Sequence, residues 1–231
     1  MEVNQIISLV EKFAPLELQE DWDCSGVQIK IEKDIKKILL CLSVTENIVN
    51  QAIEQHCDMI ISHHPLFFVP FNFKKNIAIY SAHTNLDKAQ GGTTDTLVEL
   101  LGFKAKKMGD FLRITELKEE ILLDNFINLL KEKLNLKNIR IVNNFSKEKI
   151  KKIAFCAGSG TDFLNEVQKI NADAFVTGDV KYHTAMESDV IIIDIGHYES
   201  EWPVMKTLEN ILKPLNLKVV IADEKSPFIN Y

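Results

Sequence analysis

The sequence predicts an α/β protein built as two similar three-layer α/β lobes related by internal duplication. Three observations carry that expectation. Short apolar runs of strand character alternate with amphipathic helical stretches, the pattern that places helices over mixed or parallel sheets. The chain matches itself without a gap when the segment from Lys36 is laid against the segment from Lys151, an offset of 115 residues. Finally, four polar clusters each follow an apolar strand, where ligands of α/β folds collect.

The elements can be justified in chain order. An opening amphipathic helix spans Val3 to Phe13, and a strand-like GVQIKI follows from Gly26. KKILLCLSVTENIVNQAIEQHCDMIISHHPLFF, from Lys36, reads as strand, polar turn, helix, a connection ending in Asp58, and a second strand. KKIAFCAGSGTDFLNEVQKINADAFVTGDVKYH, from Lys151, repeats that order with Asp173 in place of Asp58. The helical faces correspond: Ile48, Val49, Ala52 and Ile53 mirror Phe163, Leu164, Val167 and Gln168, the last being polar. IAIYSAHTNLD, ending at Asp87, lies against VIIIDIGHYESE, ending at Glu201, so His83 mirrors His197. Helices are expected around Thr94 to Leu101 and Val204 to Leu212, and the first helix and strand have counterparts in Glu119 to Leu134 and in NIRIVN from Asn138. The first lobe is therefore expected over 1–110 and the second over 111–231, with exchange of elements between them allowed.

Composition excludes several classes. With 231 residues and 46% hydrophobic content the chain can bury a sizeable core. Apolar runs such as Val190 to Ile193 fall far short of the roughly 20 residues a bilayer span needs, and the amphipathic start MEVNQIISLVEKF is unlike a signal. A cytoplasmic location without membrane partners is the expectation. A net charge of −6, with short lysine-rich pieces interrupted by acids, argues against nucleic acid as a partner. Cys24, Cys41, Cys57 and Cys156 form no C-x-x-C pair and are expected to be reduced, buried, small hydrophobes.

The chemistry starts at ISHHPLFF, Ile61 to Phe68. Neighbouring side chains on a strand point to opposite faces, so His63 and His64 share a site only where the strand has ended, and Pro65 ends it. For the pair alone, one hydrogen-bonded core histidine and one surface histidine is the reading the residues favour. His197 and Glu201, four apart on one helical face, can converge on a cation, and Asp87 stands at the equivalent place in the other half. Three imidazoles and two carboxylates suit Zn, Mn, Fe, Ni or Co. Five ligands exceed what one catalytic zinc takes and favour two divalent metal ions, with Glu201 bridging them. His83 would orient Asp87 or a ligand, or bond to backbone. In TGDVKYH, His183 is a candidate proton donor or acceptor, and Asp179 is either part of that chemistry or a helix cap.

EDWDCSGVQI, ISHHPLFF, SAHTNLDKAQGGTTD, TGDVKYH and DIGHYESE together resemble the motifs of the Nif-three-like family (NGG-one-interacting factor three), whose bacterial members are called GTP cyclohydrolase 1 type 2 homologues. The resemblance covers nearly the whole chain, in the short form without an inserted domain. It implies a two-lobed subunit, a dinuclear metal site in the cleft between the lobes, and a toroidal homohexamer. The family's ligands fall on His63, His64, Asp87, His197 and Glu201, with Glu201 on both metals. The chain departs from the family's WDNVGL at Cys24, Ser25 and Val27, and from LDVT at Ser43; neither departure is expected to touch a ligand.

Two functions follow as expectations. One is a metal-dependent hydrolase in which metal-activated water, with Glu201 and His183 as catalytic groups, attacks a small-molecule substrate such as a nucleotide. The other is a metal carrier or regulatory scaffold, which needs ligands but no positioned acid or base.

Overall fold

A computed structural model describes residues 1–66 and 76–229. Phe67 and Phe68, which complete ISHHPLFF, and Asn230 and Tyr231, at the end of the expected second lobe, lie outside the described residues. The architecture is mixed α/β: two sheets with helices, the chain forming two compact units.

In chain order the elements begin with α1 (Val3–Phe13), β1 (Gly26–Ile29), β2 (Lys37–Cys41), α2 (Glu46–Glu54), β3 (Met59–Ser62), β4 (Ala78–Ser81) and α3 (Thr84–Lys88). Next come α4 (Thr93–Leu100), β5 (Lys106–Met108), β6 (Leu112–Leu122), α5 (Leu123–Leu134), β7 (Arg140–Val142), β8 (Lys149–Phe155), α6 (Leu164–Lys169), β9 (Ala174–Thr177), α7 (Tyr182–Glu187), β10 (Ile191–Asp194) and α8 (His197–Glu201). The chain ends with α9 (Val204–Leu212) and β11 (Lys218–Ile221). The first unit holds Met1–Gly92 and Val204–Lys225; the second holds Thr93–Pro203 and the residues from Ser226.

The first unit's sheet has the order β1-β4-β3-β2-β11, parallel except for β1. Its central strands β2, β3 and β4 are apolar runs buried on both faces, as parallel strands are. Helix α2 starts where Thr45 accepts a hydrogen bond from Ile48 N at 3.3 Å, and it lays Ile48, Val49 and Ala52 against Leu39, Cys41 and Ile60. The second unit's sheet runs β5-β6-β8-β9-β10-β7, with β8, β9 and β10 parallel and the others antiparallel. Its alternation is clean: Ile153, Phe155, Val176 and Ile193 pack with Phe126 and Leu130 on one face, while Ala154, Phe175 and Ile192 meet Leu164 and Val167 on the other.

Each unit carries the same aspartate device at the foot of its central strand. Asp58 Oδ2 accepts from Lys36 N at 2.9 Å and Lys37 N at 3.2 Å, and Lys37 Nζ reaches Gln55 O at 2.7 Å. Asp173 Oδ2 accepts from Lys151 N at 2.7 Å and Lys152 N at 2.8 Å, and Lys152 Nζ reaches Ile170 O at 3.0 Å. Lys33 and Lys147 complete the two sites as ion-pair partners.

Two sequence expectations need correction. Glu119–Leu122 continues strand β6 rather than opening a helix, because Ile121 and Leu122 pair with Ile150 and Lys149 of β8. Tertiary pairing there overrides the helical preference of a Glu- and Lys-rich stretch. Cys24 is exposed, unlike the other three cysteines, because it lies in the turn before β1, its N–H bonded to Asp23 Oδ1 at 2.7 Å. Strands β5, β6 and β11 were not anticipated from the sequence at all.

Candidate metal centre

In the first unit the site is built where β3 ends. His63 N and His64 N donate to Cys41 O and Leu42 O at 3.1 and 2.8 Å, so the backbone stays beside β2 while the strand's alternation has stopped. The two imidazoles consequently lie together, ring centroids 4.9 Å apart, with His63 fully buried and His64 half-buried. The division into one core and one surface histidine does not describe them.

Each ring is held through Nδ1. His63 Nδ1 lies 2.8 Å from the carbonyl of Ala82, and His64 Nδ1 lies 2.8 Å from Ser43 Oγ. Ser43 is itself fixed: its N–H and that of Leu42 donate to the Glu224 carboxylate at 3.0 and 2.7 Å. The departure from the family pattern at residue 43 therefore does touch a proposed ligand, contrary to expectation. A hydroxyl reaches the ring where the sequence comparison of motifs offered no geometry.

His83, the residue preceding α3, has its Nδ1 at 2.8 Å from Asp23 Oδ1. Asp23 is buried and also accepts from Thr84 N at 3.1 Å, Thr84 Oγ1 at 2.5 Å and Ser25 Oγ at 2.7 Å. Burial alone would raise its pKa, but the bonds from His83, Thr84 and Ser25 outweigh that and hold it well below the usual carboxylate range. Asp23 is the functional residue that sequence reasoning missed. Its signal was present in the WD pair of the first motif.

These three imidazoles converge. His63, His64 and His83 each offer a donor atom, all within 4.8 Å of one another. Asp87, on α3, places Oδ1 at 3.5 Å from His63 Nε2, and that buried oxygen has no hydrogen-bond partner among the described residues. Nδ1 hydrogen bonds that fix the ring and a buried carboxylate oxygen awaiting a positive partner are what a histidine-rich cation site requires.

In the second unit, α8 places His197 and Glu201 on one face, with His197 Nε2 at 3.0 Å from Glu201 Oε2. Burial would lower the His197 pKa, but Glu201 and Asp179 oppose it and push it up to about 11. Asp179 is no helix cap: it stands in the left-handed region at φ 55° and accepts from His197 Nδ1 at 2.6 Å. Glycine shapes the space around Glu201. A Cβ on Gly158, at φ +67°, would lie 2.2 Å from Glu201 Oε1. His183 sits on α7, exposed, its ring against Tyr182 at 5.4 Å.

The fold and these side chains define a class: a mixed α/β protein whose strand ends gather histidine and carboxylate groups able to hold a metal ion. The chain belongs to the Duf34/NIF3 (NGG1p interacting factor 3) family, whose profile matches residues 1–227. It is 38% identical to a GTP cyclohydrolase 1 type 2 homolog of Clostridium perfringens, the match covering 99% of each chain. It is 35% identical to a protein of the same name from Campylobacter jejuni, again over 99% of each. A hypothetical protein of Staphylococcus aureus, known by crystal structure, superposes with a TM-score of 0.89 at 25% identity, covering 100% of this chain and 99% of that one. Among the described residues, no helix is long and apolar enough to cross a membrane.

Proposed function

We propose that the chain is a divalent-metal-binding protein with a dinuclear site, a GTP cyclohydrolase 1 type 2 homologue acting as a metal-dependent hydrolase on a nucleotide-like small molecule. His63, His64, Asp87, His197 and Glu201 would hold the ions. In this reading the two lobes descend from one duplicated unit. The matched Asp58 and Asp173 devices and the two parallel strand triplets support that.

The observation that carries the reading is the convergence of three buried or half-buried histidine donors, within 4.8 Å of one another, beside the buried Asp87 oxygen. Divalent ions there would supply Lewis acidity and hydroxide near neutral pH. The chain's own residues do the rest. Ser43 and the Ala82 carbonyl orient the His64 and His63 rings, Asp179 orients His197, and His183 is the proposed proton donor or acceptor. Assembly as a toroidal homohexamer belongs to the same proposal and draws its support from the family resemblance alone; a cytoplasmic location belongs to it too, on the sequence's lack of a signal-like start.

The test is a nucleotide panel offered to protein loaded in turn with Zn, Mn, Fe, Ni and Co, beside Glu201→Ala and His63→Ala. Turnover by the native protein that both variants lose, with the fold retained, supports the hydrolase. Metal uptake without turnover under any ion overturns it in favour of a carrier or scaffold.

A further inference from the structure

We infer that His83 is itself a metal ligand, and that the first unit alone carries a mononuclear cation site of His63, His64 and His83, with Asp87 beside His63. This deepens the metal-binding reading but stands apart from its second ion, since every named residue lies between Met1 and Gly92.

The argument begins with the order of hydrogen bonds. Three imidazoles engage Nδ1 with a carbonyl, a hydroxyl and a carboxylate respectively. With Nδ1 so engaged, Nε2 is the nitrogen through which each ring can donate to a cation, and the outer partner sets the tautomer. The rings are mutually close: His83 lies 5.2 Å from His63 and 5.5 Å from His64 by centroid, at interplanar angles of 68° and 78°. The donor atoms of the three rings, not only their centroids, lie within 4.8 Å of one another. Three imidazole nitrogens so placed make the three-histidine set that an open zinc or cobalt site takes, and Asp87 Oδ1 stands 3.5 Å from His63 Nε2.

His83 also has the strongest outer partner of the three. A carboxylate bonded to the far nitrogen raises the basicity of an imidazole ligand more than a hydroxyl or carbonyl does. Asp23 is locked in turn by Thr84 and Ser25, so the His83 ring is pre-oriented before any ion arrives. Such an investment of buried hydrogen bonds in one imidazole is unexplained if His83 only packs.

Cobalt(II) is the probe, used on the full chain after chelator treatment. The background is the double variant His197→Ala/Glu201→Ala, which removes the second unit's ligands. Expected is one cobalt retained per chain, with three paramagnetically shifted, solvent-exchangeable imidazole N–H signals. Adding His83→Asn keeps an amide donor for Asp23 but removes Nε2; it should cut cobalt affinity by at least about tenfold and reduce the shifted signals to two. Near-UV circular dichroism reports the fold, and if His83→Asn does not fold, the count of three signals in the double variant decides alone. A double variant that binds no cobalt, or a His83→Asn chain that binds as tightly with the same signals, overturns the inference. Native protein taking two ions in either of those cases would leave the dinuclear reading intact, so the two failures are distinguishable.

Discussion

Ser43 Oγ lies 2.8 Å from His64 Nδ1, joining the turn after β2 to the histidine pair that ends β3. Ser43 itself hangs from the Glu224 carboxylate, so a residue near the chain's end steadies a proposed ligand. Removing the hydroxyl removes the bond that holds His64 Nδ1. Ser43→Ala is expected to lower zinc affinity by about tenfold with little change in melting temperature. Competition against a chromophoric chelator measures it, and unchanged affinity would show that the contact does not orient the ring.

Gly158 gives way to Glu201. Because an added Cβ would stand 2.2 Å from Oε1, Gly158→Ala must displace the carboxylate and also strain a residue held at φ +67°. The backbone cost is about 1 kcal/mol. Expected is a folded protein with reduced metal content, read by elemental analysis beside a thermal melt. Full metal occupancy would show that Glu201 is dispensable.

Arg113 is completely buried, its Nε and Nη2 on the two oxygens of Asp95 at 2.5 and 2.9 Å, and its Nη1 on the carbonyls of Asp110 and Leu112. Asp95→Ala strands that guanidinium without its counter-charge and should cost about 3–5 kcal/mol in denaturant unfolding. The double variant Arg113→Met/Asp95→Leu should recover most of the loss, because no charge is then left inside. A single variant as stable as the native chain would contradict the pairing.

Asp173 links stability to acid. Burial would raise its pKa, but the bonds from Lys147 and from the N–H groups of Lys152 and Lys151 lower it below the ordinary 3.8. A carboxylate depressed in the folded state contributes stability that is fully present above the unfolded value near 3.8 and disappears as pH falls through the lower folded value. Asp173→Asn should therefore cost about 1–2 kcal/mol at neutral pH, and the difference from the native chain should shrink below about pH 4. Denaturant midpoints across pH 2–7 test this; a difference independent of pH would contradict it.

What could be read from the chain was whatever local pattern decides. Helix α1 has the expected bounds because Ile6, Ile7 and Val10 recur at helical spacing, and α9 has them because Val204, Met205, Leu208 and Leu212 do. The aspartates at residues 58 and 173 were visible as the ends of matched connections. Strand β6 was hidden, since LRITELKEEIL owes its form to β8, far along the chain, and not to its own residues. At the site, proximity of His63 and His64 followed from Pro65, but the partners of each ring did not. Asp23 is 60 residues from His83, and Ser43 is 21 from His64, separations that no local pattern reports.

Anomalous scattering from crystals of zinc-loaded protein tests the central claim most directly. The expected result is two peaks per chain, with Glu201 in contact with both and His63, His64, Asp87 and His197 completing their coordination. Zinc-loaded crystals without a peak at these side chains would contradict it.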